Sequence, residues 1–252
     1  MPEPITLFWQ PGCTSCLRAK EFLRSHGIGF DSINVAESPS GLEKLSKHGI
    51  KAVPVLMQGD RFIFAQVLGD VANFLGIEDD HRVPLTPEQL VTRLITVFNG
   101  AQRYARQIPV SHLNHMLPGR KRSYRELAYH TFRIGECFLE ATEGATLTDE
   151  DLNKPPGNDL QTSEEIAKYG QKILKAVKVW WNEAKNKKEE QIIATYFGPQ
   201  TLHVVLERTT WHSAQHTRQL MMVLKTLNIE PDGPLLPETL SGLPLPEKVW
   251  DD

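Results

Sequence analysis

Ile5-Thr-Leu-Phe-Trp9, broken by Pro11-Gly12 and followed by Cys13-Thr14-Ser15-Cys16, decides the reading of the first third of the chain. The β-branched and aromatic run reads as a strand, and Leu17, Phe22 and Leu23 recur with helical spacing from Cys16 onward. Cys13 therefore falls at a helix N-terminus. There the unpaired backbone N–H groups and the helix dipole favour the thiolate, which lowers the thiol pKa and makes Cys13 the attacking group in disulfide exchange. Cys16, one turn further in, is the candidate resolving thiol.

The C-x-x-C spacing also serves zinc knuckles, but no second C-x-x-C exists in the chain. The surroundings favour redox use. Strand-like Gly29-Phe-Asp-Ser-Ile-Asn34 and helix-like Leu42-Glu-Lys-Leu-Ser-Lys47 follow. Then come Ala52-Val53-Pro54-Val55 and a hairpin-like Val55-Leu-Met-Gln-Gly-Asp-Arg-Phe-Ile-Phe64 that turns at Gly59-Asp60.

Over roughly the first third of the chain these residues resemble the glutaredoxin branch of the thioredoxin-like fold. The resemblance implies an α/β thioredoxin-like domain with a cis bond at Val53-Pro54 facing the cysteines, exposing backbone for a thiol substrate such as glutathione. It matches Leu68-Gly69-Asp70 to the turn that holds the glutathione γ-glutamyl end, so the implied thiol-binding set is Val53, Pro54, Gly69 and Asp70. Gln10 stands where a basic residue is often found, and Ala52 replaces the usual threonine. Pro11-Gly-Cys-Thr-Ser-Cys16 is similar to arsenate-reductase-like relatives as well, which leaves the branch open.

The chain has 252 residues, above the usual single-core size, and its 40% hydrophobic content suffices for two real cores. A net charge of -3, with both signs mixed along the sequence, gives nucleic acid or an anionic membrane no electrostatic handle. Met1-Pro-Glu-Pro carries no basic or apolar run, and no segment reaches membrane-spanning length. Three cysteines with one C-x-x-C suit a reducing compartment. A soluble cytoplasmic protein is expected.

The pattern divides the chain into a first domain at 1–77, a linker at 78–85, helices at 86–230 and a proline-rich tail at 231–252. Thr86-Pro87-Glu88 reads as an N-cap with proline at the first helical position. Leu90, Leu94, Val97, Phe98, Ala101 and Ala105 then share one helix face. Ser123-Tyr-Arg-Glu126 has capping-box spacing and opens a second helix running to about Glu140. A third begins at Thr162 or Ser163, and a fourth follows Gly198-Pro199 to about Leu227. Four helices with a long connection between the second and third predict an all-α four-helix bundle. Arg120-Lys-Arg122 and Lys185-Asn-Lys-Lys188 read as solvated helix ends, although the first would also attract an acidic thiol or substrate.

His212 and His216 lie one turn apart on the last helix, the spacing that lets two imidazoles reach a single cation. His130 lies midway along the second helix. A bundle core brings those helices together, so the three neutral rings would form a facial site with open positions, the catalytic kind of arrangement. Ser123-Tyr-Arg-Glu-Leu-Ala-Tyr-His130 and His212-x-x-x-His216 resemble the DinB-like superfamily of metal-binding bundles. That resemblance implies His130, His212 and His216 as ligands of a divalent metal, zinc ahead of nickel, iron and manganese. It also implies a low-molecular-weight thiol such as glutathione as cosubstrate.

Among the remaining candidates, His112 and His115 read as surface residues, with alternative ligands or substrate contacts as the second reading, His203 falls on the opposite face from His212, and Cys137 reads as a buried structural thiol ahead of a pocket residue. Trp180, Trp181 and Trp211 read as core aromatics, with Trp211 adjoining the histidine pair. The function expected is metal-dependent chemistry on a thiol or thiol conjugate, by S-transfer, isomerisation or detoxification, coupled to thiol-disulfide exchange at Cys13 and Cys16. The partners expected are a small thiol and an electrophilic or disulfide substrate, with a homodimer through the helical domain. The alternatives are a metal-binding or redox stress-sensing protein without turnover, and a disulfide reductase with an inert helical dimerisation domain.

Overall fold

A computed structural model of the chain describes residues 3–78, 83–184 and 191–250. It comprises two compact units, Met1–Val83 with Pro246–Asp252, and Pro84–Leu245. Part of the sequence-assigned linker and the Lys185 to Lys188 run lie outside the described residues.

The first unit runs β1 (Ile5–Trp9), α1 (Thr14–Ser25), β2 (Asp31–Asn34), α2 (Pro39–Lys47), β3 (Val55–Gln58), β4 (Arg61–Phe64) and α3 (Leu68–Leu75). Its sheet has the order β2-β1-β3-β4, with β1 and β2 parallel and the other pairs antiparallel. Successive side chains of β1 point to opposite faces. Leu7, opposite Leu56, packs with Ala19, Phe22 and Leu23 of α1 and Val71 and Ala72 of α3. Phe8, opposite Val55, packs with Met57, Val35, Leu45 and Ile50. Each such fully buried side chain contributes about 1.5–3 kcal/mol of transfer free energy, so the strand is fixed between two apolar layers. This is the thioredoxin-like α/β arrangement, and the Val53–Pro54 peptide leading into β3 is cis.

The edges differ in detail from the sequence reading. β2 starts at Asp31 rather than Gly29. α2 starts earlier, at Pro39, because the Ser38 side chain accepts from the Gly41 N–H and proline occupies the first turn. Leu68-Gly69-Asp70, matched to a turn, is the first turn of α3, which Gly76 ends in the left-handed region at φ 67°.

The second unit contains α4 (Pro87–Gln107), α5 (Tyr124–Thr142), α6 (Asp149–Leu152), α7 (Ser163–Ala184), the short β5 (Ile192–Ile193) and β6 (Gln200–Thr201), and α8 (Leu202–Thr226). Capping boxes at Thr86/Gln89 and Ser123/Glu126 start α4 and α5, and Thr201 caps α8. Each box satisfies two backbone donors that a helix start otherwise leaves unpaired. α4 and α5 lie diagonally, each packed on both α7 and α8, which makes a four-helix bundle. Small residues set the close approaches. A Cβ on Gly135 would meet Phe98 at 2.6 Å, and one on Gly170 would meet Phe132 at 2.5 Å.

The Ser213 hydroxyl of α8 donates to the Thr131 carbonyl of α5 at 3.2 Å. This bond fixes the register of the two helices beside His130 and His212.

The stretch read as one proline-rich tail is divided between the units. Within the helical unit, Arg103 donates to the Asp232 carbonyl at 2.9 Å, and Tyr104 Oη donates to the Gly233 carbonyl at 2.9 Å. Within the first unit, the N–H groups of Glu247 and Lys248 donate to the Glu21 carboxylate at 2.7 and 3.1 Å. No helix among the described residues is long and apolar enough to cross a membrane.

Candidate functional site

Cys13 is the N-cap of α1, and its Sγ accepts the Cys16 N–H at 3.2 Å. Cys13 is half-buried while Cys16 is fully buried, and the two are joined as a disulfide with Cα atoms 5.2 Å apart. The helix start thus places N–H groups on the outer sulfur, the one a substrate can reach. Cys13 Sγ lies 3.9 Å from the Val53 carbonyl, so the cysteine pair and the cis-proline loop form one site.

Two residues that the sequence reading passed over support that loop. The Gln66 amide donates to the Val53 carbonyl at 3.3 Å, and Arg18 donates to the Gln66 carbonyl at 2.6 Å, both side chains buried. Gly69 and Asp70 follow Gln66 by three and four residues, in the first turn of α3.

The second cluster joins α5 and α8. His130, His212 and His216 are all buried, with ligand-capable nitrogens within 4.8 Å of one another. Among the described residues they form the group of histidine, cysteine or acidic side chains able to hold a metal ion.

Hydrogen bonding decides which nitrogens face inward. His130 Nδ1 lies 2.8 Å from the Leu152 carbonyl at the end of α6. A carbonyl only accepts, so Nδ1 carries the proton and Nε2 presents its lone pair. His216 Nδ1 lies 2.7 Å from Gln219 Oε1 and is oriented the same way. His212 Nε2 lies 3.1 Å from His216 Nε2, while His212 Nδ1 is buried without a partner. Two lone pairs this close repel unless a proton or a cation lies between them.

Burial is the main cause that pushes all three imidazoles well below their usual pKa. Arg122 adds to this at each ring, behind His216 and Arg208 at His212. The rings are therefore neutral at pH 7, the form that coordinates a metal.

The other candidates stand apart from this cluster. His203 Nε2 bonds the Leu85 carbonyl at 2.8 Å, and the rings of His112 and His115 meet edge to face with centroids 4.7 Å apart. Cys137 is a buried free thiol pushed up to about 12, chiefly by burial. Trp211 is buried with its ring 5.5 Å from that of His212, and Trp180 packs edge-on to Phe138.

One expectation is corrected. Arg120-Lys-Arg122 is not wholly a solvated helix end, because Arg122 is only 8% exposed and donates to Asn153 Oδ1 at 2.8 Å. It immediately precedes the Ser123 N-cap and is covered where the chain following α5 returns through α6.

A family model described as glutaredoxin matches residues 5–63. Over 56 residues the chain is 36% identical to the glutaredoxin-like protein NrdH of Lactococcus lactis subsp. lactis, spanning 22% of this chain and 78% of that protein. It is 32% identical to the protein of the same description in Escherichia coli strain K12, spanning 22% and 69%. Among solved structures, the chain is similar to a DinB-like protein from Bacillus cereus at 16% identity and a TM-score of 0.45, covering 55% of this chain and 91% of that one. Through the domain that carries Cys13, Cys16 and cis-Pro54, the chain belongs to the glutaredoxin family.

Proposed function

We propose that the chain is a thiol-dependent metalloenzyme. His130, His212 and His216 hold a divalent ion, zinc first among zinc, nickel, iron and manganese, and the glutaredoxin domain supplies or regenerates the thiol used there. The observation that carries this reading is the aim of the imidazoles: two Nδ1 atoms are bonded to oxygen acceptors, which directs their Nε2 lone pairs to the point where His212 Nε2 also lies. Three neutral nitrogen ligands suit zinc and leave positions open for substrate, unlike a closed structural site. Such an ion supplies Lewis acidity, lowering the pKa of a bound thiol or water so that a nucleophile exists at neutral pH.

The chain's own residues account for the rest. Leu152 and Gln219 fix the ring orientations, the bond from Ser213 to Thr131 holds the helices in register, and the buried Trp211 ring lies 5.5 Å from that of His212. In the first unit, the Cys13 thiolate attacks a substrate disulfide, forming a mixed disulfide and releasing one thiol. Cys16 then displaces the second thiol as the Cys13–Cys16 disulfide forms, and an external thiol reductant restores the pair. Glutathione is the thiol favoured by the resemblance, with Val53, Pro54, Gly69 and Asp70 as its binding set.

Turnover of thiol with electrophile tests this, with the thiol presented either reduced or as its disulfide. Cys13→Ser should lose turnover from the disulfide and keep it from reduced thiol. His212→Ala should keep disulfide reduction and lose conversion under both conditions. Activities that respond independently in every combination would contradict a shared pathway.

A further inference from the structure

Arg122 and Arg133 are both buried arginines of the helical unit, at 8% and 6% exposure, yet their surroundings differ. Burial disfavours the charge of Arg133, but hydrogen bonds to Glu140 and Glu136, at 2.8 and 2.6 Å, reverse that effect and raise its pKa. Arg122 has no carboxylate within ion-pairing distance among the described residues. Its one side-chain hydrogen bond there goes to the neutral amide oxygen of Asn153. Burial first, and then the like charge of Arg120, lower its pKa to about 9, with Glu126 and Asp149 offsetting only part of the cost. A charge removed from water without a partner is unfavourable by itself. That cost makes sense where an incoming anion completes the pair.

The location of Arg122 identifies where that anion would sit. Asn153, which holds Arg122, directly follows Leu152, whose carbonyl orients His130. The arginine and the histidine are therefore suspended from adjacent residues at the end of α6. Three neutral ligands leave the charge of a divalent ion uncompensated, so the site is doubly short of negative charge.

We propose that the triad, beside the end of α6, takes a carboxylate-bearing ligand, with the Arg122 guanidinium pairing its carboxylate. The inference rests on the metal reading above. It deepens that reading by naming the substrate class: a small thiol or electrophile with a carboxylate near its reacting atom. A guanidinium offers five donors in a planar fork, only one of them used by a described residue, and that fork matches the two oxygens of a carboxylate.

The test uses the full chain, reduced at its cysteine pair and loaded with cobalt(II), whose sulfur-to-metal absorption reports thiol binding directly. The wild type should bind 3-mercaptopropionate about tenfold more tightly than 2-mercaptoethanol, the scale of a charge-assisted hydrogen bond. Arg122→Gln should abolish the preference while leaving cobalt content and 2-mercaptoethanol affinity unchanged. Arg122→Lys, which keeps the charge but not the fork, should restore part of it. Equal affinities in the wild type, or an undiminished preference in Arg122→Gln, would overturn the assignment of Arg122. Displacement of the mercaptopropionate by inorganic phosphate at matching concentration would overturn the carboxylate class. Failure of the wild type to bind cobalt would instead remove the metal reading, and this proposal with it.

Discussion

The cysteine pair and the histidine triad are secured in opposite ways. Around Cys13 the contacts come from the backbone: a helix-start N–H, the Val53 carbonyl and the cis peptide before β3. Around His130 they depend on side chains from separated elements, with Gln219 and Ser213 on α8 and main-chain carbonyls of Leu152 and Thr131 as acceptors. A site built on backbone tolerates substitution around it, provided the reactive sulfur remains. A site built by interlocking side chains is sensitive to the packing of the helices that carry it. The partly exposed Cys13 suits a group that must meet a partner disulfide, whereas burial keeps the imidazoles neutral.

The largest expected effect isolates one site from the other. Cys13→Ser should reduce disulfide exchange to background while metal content stays at the wild-type level. A parallel loss of metal would show that the sites are not separate in the way described.

An intermediate effect should fall on the helical unit. Gly170→Ala drives a methyl group into the Phe132 ring and should cost about 1–3 kcal/mol, as expected for overpacking. Metal affinity should weaken with it, since Phe132 is two residues from His130, while exchange at Cys13 is unchanged. Calorimetry with a disulfide-reduction assay separates these outcomes. Loss of exchange in this variant would break the comparison.

The smallest effect is an expected lack of reaction. With its pKa pushed up to about 12, Cys137 should resist alkylation at the ordinary thiol value of about 8.5, where Cys13 reacts after reduction. The folded value lies above that of the unfolded chain, so this thiol's contribution to stability is complete at neutral pH. It declines as pH rises past the unfolded value and through about 12. Mass spectrometry of alkylated peptides measures the protection, and rapid labelling of folded Cys137 would contradict it.

Much of this architecture was legible in the residues. The β-branched and aromatic run Ile5-Thr-Leu-Phe-Trp9, the Gly59-Asp60 turn and the capping box at Ser123/Glu126 are local signals, and each has a local physical cause. α3 was missed because a glycine in its first turn resembles loop sequence and its eight residues give little periodicity. α6 is only four residues long, too short for any repeat, yet it supplies the carbonyl that orients His130. A main-chain oxygen has no side-chain signature at all. Arg122 was misread because consecutive basic residues look solvated, and only the three-dimensional path from α5 to α6 covers it.

The central claim is that His130, His212 and His216 hold one divalent ion, and elemental analysis of chain purified without a histidine tag tests it most directly. The wild type should carry close to one equivalent of metal. The His212→Ala/His216→Ala double variant should carry almost none while retaining its helical circular-dichroism spectrum. Unchanged metal content in the double variant, or a wild type that takes up no divalent ion when one is offered, would contradict the claim.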